Sequence, residues 1–255
     1  QRIRKTGQAC GVKKASVLEL DYEVMREAYI RKNYEVYENY VQGLSKYSSY
    51  QAKMLDEYIN LINIYTEYDN REKIERYSNL LRNNFYKAKR AKQLISIDVL
   101  DYFAELELAQ MSSLQKQISE VKLQFPEQVF QQKVERLLGL LDKLVEKANS
   151  VISIGSGKGI ISSYDKLNNS YSYAADLLGS FTPPGKSAEY IKGFKAQFMQ
   201  ISSQMKSAAM KYSEEAIRAI KNNEILSESN KQFLPLNFPV SFYHEGVLMD
   251  RGGLK

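Results

Sequence analysis

The sequence predicts an all-α protein: an array of short helical hairpins followed by long antiparallel helices. Three observations carry that reading. Glycine (13) and proline (5) are scarce in 255 residues, and no proline precedes Pro126, whereas a β-sandwich or barrel needs a turn about every 8–12 residues. Gln, Lys, Glu, Leu and Ala fill the regular stretches, and all five favour helix. Apolar residues recur at steps of three and four through most of the chain, the period of a helix with one buried face. A hydrophobic content of 44% is ordinary for a chain that buries a core.

Residues 1–16 form a basic, irregular arm containing Gly7 and Gly11. Helical periodicity starts near Val17, where Leu20, Val24, Ala28 and Tyr29 share a face, and Asn33 marks the first break. A second helix is expected over 34–47, and the Ser48-Ser49 step opens a third with Met54, Leu55, Tyr58, Leu61, Ile62 and Tyr65 on its apolar side. Asp69 followed by Glu72 reads as an N-cap with a capping-box acid, starting a fourth helix that ends near Asn83 and Asn84.

Beyond Phe85 no strong breaker occurs until Pro126, although Ser96 and Asp98 offer a cap. Pro126 suits a first helical turn, where its missing N–H costs nothing. The helix that follows carries Phe130, Val134, Leu137, Leu138, Leu141, Leu144, Val145, Ala148, Val151 and Ile152, and residues 155–159 make a flexible turn. Another helix runs to about Leu178, and Thr182-Pro183-Pro184-Gly185 is the clearest boundary. Ser187 caps the longest segment, 187–222, spanning ~54 Å at ~1.5 Å per residue. Ile191, Phe194, Phe198, Ile201, Met205, Ala208 and Tyr212 lie at heptad a/d spacing along it, a seam that needs a long partner. The expected organisation is thus 1–16 arm, 17–125 helical repeats, 126–223 long helical hairpin or bundle and 224–255 irregular tail.

Catalytic and cofactor chemistry find little support, and no cofactor is expected. Cys10 is the one cysteine and His244 the one histidine, too few for an internal disulfide or a His-based metal cluster, and the proline-flanked stretch around His244 is a poor place to hold a catalytic base. The Gly155-Ser156-Gly157-Lys158-Gly159 run departs from a phosphate loop, which requires Gly-Lys-Ser/Thr between a strand and a helix. No run of 18 apolar residues suggests a transmembrane helix.

The formal charge of +6 is unevenly placed. Residues 1–18 carry five Lys/Arg and no acid, residues 19–75 seven basic and twelve acidic residues, and residues 76–97 six basic residues and no acid. Two local basic blocks weigh against a nucleic-acid-binding domain, whose positive charge spreads over a face. The block Arg82, Lys87, Lys89, Arg90 and Lys92 is the candidate for electrostatic docking, weighed against an ordinary solvated helix face. Tyr58 and Tyr65 are the tyrosines expected to line a peptide-binding groove, weighed against core packing.

Short helix pairs suggest a repeat. Tyr58, Leu61, Ile62 and Tyr65, then Ile74, Ser78 and Leu81, fall on the offsets of one tetratricopeptide unit, with Tyr86 where the repeat has proline. A unit 34 residues earlier keeps Val24, Ala28, Tyr40 and Leu44 with Arg31 at the tyrosine position, and one later keeps Ile95, Ser96, Val99 and Leu108. The region 20–115 therefore resembles a degenerate tetratricopeptide-like array. The Thr-Pro-Pro opening at 182–184, the Tyr-Ser-Glu-Glu-Ala-Ile run and the Leu-Pro-Leu-Asn-Phe-Pro segment resemble the ends of tetratricopeptide proteins of δ-proteobacteria. That resemblance implies a periplasmic or outer-membrane-associated scaffold; without it, a cytoplasmic location is expected. Together these readings predict a non-enzymatic scaffold or adaptor that binds a protein or peptide partner through a repeat groove. Homo-oligomerisation through the 187–222 helix is a further expectation. The alternative is a membrane-surface module binding anionic lipid through a basic helix face.

Overall fold

The computed structural model describes residues 14–225 and 227–234. Most of the basic arm, Cys10, His244 and the tail from Pro235 onward lie outside the described residues. Among the described residues the protein is all-helical, with eight α-helices, two short 3-10 turns and no strand. It divides into two compact units, Gln1–Val99 and Leu100–Lys255.

The first unit holds α1 (Lys14–Ile30), α2 (Tyr34–Leu44), α3 (Lys53–Glu67) and α4 (Arg71–Arg90). α1 and α2 pack as one hairpin, α3 and α4 as a second, and α2 rests on α3. Each helix buries a stripe at helical spacing: Tyr37, Val41 and Leu44 on α2, Leu55, Tyr58, Leu61 and Tyr65 on α3, Tyr77, Leu81, Phe85 and Ala88 on α4. Helices α1, α3 and α4 end in the same way. At Lys32, Asp69 and Lys92 the backbone turns left-handed, with φ of 56°, 49° and 52°. The next residue's N–H reaches back to a carbonyl five residues earlier: Asn33 to Ala28, Asn70 to Tyr65 and Gln93 to Ala88. These bonds satisfy carbonyls that a helix end would leave open.

Local expectation and structure part at four places. Asp69 is the left-handed residue, so the cap falls to Asn70, whose side chain accepts from the Lys73 N–H at 3.1 Å. Ser48 opens a 3-10 turn, Ser48–Tyr50, and α3 starts at Lys53. α4 runs past Asn83 and Asn84 to Arg90 because Leu81, Phe85 and Ala88 continue the buried stripe, and tertiary burial outweighs asparagine's weak helix propensity. Residues 157–159 are helical rather than a flexible turn.

The second unit is built on α5 (Ile97–Ser119), α6 (Glu127–Ile154), α7 (Gly157–Ser180) and α8 (Ala188–Asn223). Ser96, as expected, caps α5 by accepting from the Val99 N–H at 3.3 Å, and Ser187 caps α8 by accepting from Tyr190 at 3.3 Å. α7 packs along α8 through small residues. Ser170, Ala174 and Ala175 of α7 and Ser202, Ala209 and Ala216 of α8 are all buried; Ser202 donates to the Ala175 carbonyl at 2.8 Å, Asn168 to the Ala209 carbonyl at 2.9 Å, and Ala216 packs in a cluster with Ile161. The expected heptad seam is only partly used: Phe194 and Met205 are buried, but Ile201, Ala208 and Tyr212 are half-buried while Ser202, Ala209, Ala216 and Ile220 beside them are buried. Small side chains permit a closer approach than the a/d register would. Phe130 of α6 gathers Phe181, Phe194 and Phe198 with ring centroids 4.8, 5.0 and 4.8 Å away.

The glycine-rich step is a packing device. Gly155 takes φ 90° to end α6, and Ser156 caps α7, accepting from Gly159 at 2.8 Å while donating to Asp101 at 2.5 Å. A Cβ at Gly159 would lie 2.7 Å from the Ala104 Cβ and 3.0 Å from Val151 Cγ1. Glycine is needed there for close approach of α5 and α6 to α7. No helix among the described residues is long and apolar enough to cross a membrane.

Candidate functional site

Two groups of polar residues stand out in the first unit, one buried and one exposed. The buried group centres on Glu38 of α2, which lies among apolar residues at 8% exposure. Its Oε2 accepts from Lys73 Nζ at 2.7 Å and from Tyr65 Oη at 2.5 Å. Its Oε1 accepts from Tyr77 Oη and from Gln42 Nε2, the latter at 3.3 Å. Lys73 Nζ also donates to Tyr65 Oη at 2.9 Å and sits 4.4 Å from that ring's centroid, and the Tyr65 and Tyr77 rings stack at 6.0 Å.

Burial alone would raise the Glu38 carboxyl, but the hydrogen bonds from Lys73, Tyr65 and Tyr77 outweigh it and hold the group below its usual range. Burial, reinforced by the Glu38 hydrogen bond, pushes the Tyr77 hydroxyl well above its own. Four donors match the roughly four acceptor positions of a carboxylate. Glu38 therefore has its acceptor capacity taken up by the protein, and the network ties α2, α3 and α4 together. A smaller relation repeats the theme, with Tyr37 Oη donating to Glu57 Oε2 at 2.5 Å and Asn60 to the same oxygen at 3.2 Å.

Tyr65 is part of this network and Tyr58 stacks on its Tyr77 ring at 6.1 Å. Tyr58 is 2% and Tyr65 8% exposed. Tyr65 donates to Glu38, and Asn84 donates to the Tyr58 hydroxyl at 3.4 Å. Both rings belong to the core of the unit, as the packing alternative expects.

The exposed group is the end of α4. Arg82, Tyr86 and Arg90 recur at steps of four, Asn83 and Lys87 likewise, and all five are exposed. An open cleft of about 730 Å³ is lined by Asn83, Tyr86, Lys87, Lys89 and Arg90. Four of the five predicted cations, Arg82, Lys87, Arg90 and Lys92, are exposed; Lys89 is half-buried, its Nζ 5.8 Å from the Phe85 centroid, and burial lowers its pKa. Part of this charge serves the helix itself: Arg90 Nε donates to the Tyr86 carbonyl at 3.2 Å, and cations in a last turn complement the helix dipole.

The turn after α4 adds what the sequence reading missed. Leu94 is 96% and Ile97 72% exposed, the two most exposed large apolar side chains among the described residues. The turn is well anchored, since Ser96 Oγ donates to Asp56 Oδ1 of α3 at 2.5 Å. The sequence signal was the run Lys92-Gln93-Leu94-Ile95-Ser96-Ile97, in which aliphatics follow cations. For Glu38 it was an acid inside the apolar stripe 37–44.

In the second unit a cleft of about 780 Å³ lies along α7 and α8, lined among others by Tyr173, Leu177, Gly179, Met199 and Lys206. Lys206 pairs with Asp176 at its edge at 3.1 Å. Among the described residues no group of three or more His, Cys, Asp or Glu side chains is arranged to hold a metal ion. Compared with protein-family models, with curated proteins and with solved structures, the chain finds no match.

Proposed function

We propose that this protein is a non-enzymatic scaffold that attaches to a negatively charged macromolecular surface through the basic end of α4. One observation carries the reading: Arg82, Lys87, Arg90 and Lys92 are all exposed on the last three turns of one helix and the turn after it, in a stretch, 76–97, that contains no acid. Exposed cations that outnumber the carboxylates beside them, Asp56 against Ser96 and exposed Asp98, create a positive potential that steers and holds an acidic partner. An acidic protein segment and an anionic bilayer both satisfy that chemistry. The buried Glu38 network supports the reading indirectly, by bracing α4 against α2 and α3 so that its far end is held in place.

The α1–α2 and α3–α4 hairpins are the part of the fold that favours a tetratricopeptide-like array. Their identically built turns support it, although Lys32 and Asp69 stand 37 residues apart, against the 34 of the sequence register. A bacterial envelope complex is the setting that the C-terminal resemblance favours.

Lysine acetylation footprinting of the intact chain, with and without poly-L-glutamate at physiological salt, tests the reading. Lys87 and Lys92 should be protected while Lys192 and Lys211 of α8, also exposed, are modified as before. Equal protection of all four would reduce the effect to net charge.

A further inference from the structure

We propose that the negatively charged surface is an anionic lipid bilayer, with Leu94 and Ile97 entering its interface while Arg82, Lys87, Arg90 and Lys92 face the headgroups. The proposal rests on the docking reading above and specifies the partner.

The apolar residues decide between partners. Leu94 and Ile97 are three residues apart, immediately beyond the cations, and are 96% and 72% exposed. They protrude from a built turn. The Lys92 N–H bonds to the Lys89 carbonyl at 3.0 Å, the Gln93 N–H to Ala88 at 3.0 Å, and Ser96 to Asp56 at 2.5 Å. Protruding aliphatics require the partner to supply the apolar sink. An acidic peptide seated in the cleft of Asn83, Tyr86, Lys87, Lys89 and Arg90, which neither Leu94 nor Ile97 lines, would leave both aliphatic side chains in water. A nucleic acid offers phosphates but no sink for two aliphatic side chains. A bilayer with anionic lipid offers negative charge and hydrocarbon together and needs no matching shape. Tyr86, one turn before Arg90 and 52% exposed, is the kind of amphipathic ring that settles at headgroup level.

Each Lys or Arg near an anionic bilayer contributes about a fivefold gain in partitioning, and aliphatic insertion adds to it. The test uses the full chain, Cys10→Ser with Leu94→Cys carrying an environment-sensitive fluorophore, beside unlabelled chains for co-sedimentation. The probes are phosphatidylcholine vesicles with about one third phosphatidylglycerol, and phosphatidylcholine alone, at physiological salt. The expected result is sedimentation with the anionic vesicles only and a blue-shifted fluorophore on binding. Lys87→Gln/Arg90→Gln/Lys92→Gln should weaken binding about a hundredfold, and Leu94→Gln/Ile97→Gln roughly tenfold, with circular dichroism unchanged in both.

Binding that survives Leu94→Gln/Ile97→Gln, with no blue shift, would overturn the insertion. Absence of binding to the anionic vesicles would overturn the lipid assignment. In that case protection of Lys87 and Lys92 by poly-L-glutamate leaves the docking reading standing with a protein partner, and its absence as well removes both.

Discussion

Glu38 of α2 holds Lys73 of α4 at 2.7 Å, and Asn70, which caps α4, holds the backbone N–H of the same lysine at 3.1 Å. One residue thus fixes both the start of α4 and its attachment to the helices beneath. Replacing the carboxylate with an amide removes the negative charge and one acceptor oxygen from a cation and two buried hydroxyls that donate to it. Glu38→Gln should cost about 2 kcal/mol, within the range for a charged hydrogen bond lost from a buried site. Urea unfolding at neutral pH followed by far-UV circular dichroism measures it.

The pH dependence follows from the same group. The folded Glu38 carboxyl titrates below its ordinary value, so its contribution is present above the unfolded carboxylate pKa and is lost as pH falls through the lowered folded value. Lys73 acts in the opposite sense: hydrogen bonds to Glu38 and Tyr65 raise its pKa, so its contribution holds below the ordinary lysine value and fades as pH climbs past the raised one. Glu38→Gln should therefore lose less stability than the wild type between neutral pH and about pH 3, measured as the shift in urea midpoint.

Gly159 has no room for a methyl group, since its Cβ would stand 2.7 Å from Ala104 and 3.0 Å from Val151. Both neighbours sit on packed helices. Gly159→Ala should destabilise the second unit by about 1–3 kcal/mol, the usual range for overpacking, despite alanine's better helix propensity. A gain in thermal midpoint would show that the helices can separate at this point.

Asp69 gives the opposite expectation. It adopts φ 49°, where a side chain is strained and glycine is not. Its ion pair with Arg71 is 3.8 Å long and highly exposed, so little is lost with it. Asp69→Gly should stabilise the first unit by about 0.5–1 kcal/mol in the same urea assay.

Phe130 is fully buried and touches three other phenylalanine rings. Phe130→Ala should cost about 3–5 kcal/mol, and Phe130→Leu markedly less. Equal losses would point to aromatic geometry rather than volume as the main contribution.

Helical periodicity made the element order readable, because burial of one face leaves a 3.6-residue signature regardless of partner. The caps at Ser96 and Ser187 were readable for a local reason, a hydroxyl one residue before a helix. Asp69 and Asn70 were not separable in that way, since either side chain can cap and only the left-handed backbone decides. The end of α4 is not legible locally, because Asn83 and Asn84 signal a stop while the burial of Phe85 and Ala88 carries the helix on. Glu38 and Lys73 lie 35 residues apart, and nothing local links them. The basic residues were visible in the sequence as a run, but the exposure of Leu94 and Ile97 depends on how the turn between α4 and α5 is held.

Docking through the end of α4 is tested most directly by comparing two variants of equal charge change on anionic vesicles at physiological salt. One is Arg82→Glu/Lys87→Glu/Arg90→Glu and the other Lys192→Glu/Lys211→Glu/Arg218→Glu, all exposed positions on long helices. The first should abolish binding, and the second should leave it within about threefold of the wild type, as expected where screened charges lie away from the contact. Equal loss in both variants, or binding retained by the first, would contradict a docking surface at the end of α4.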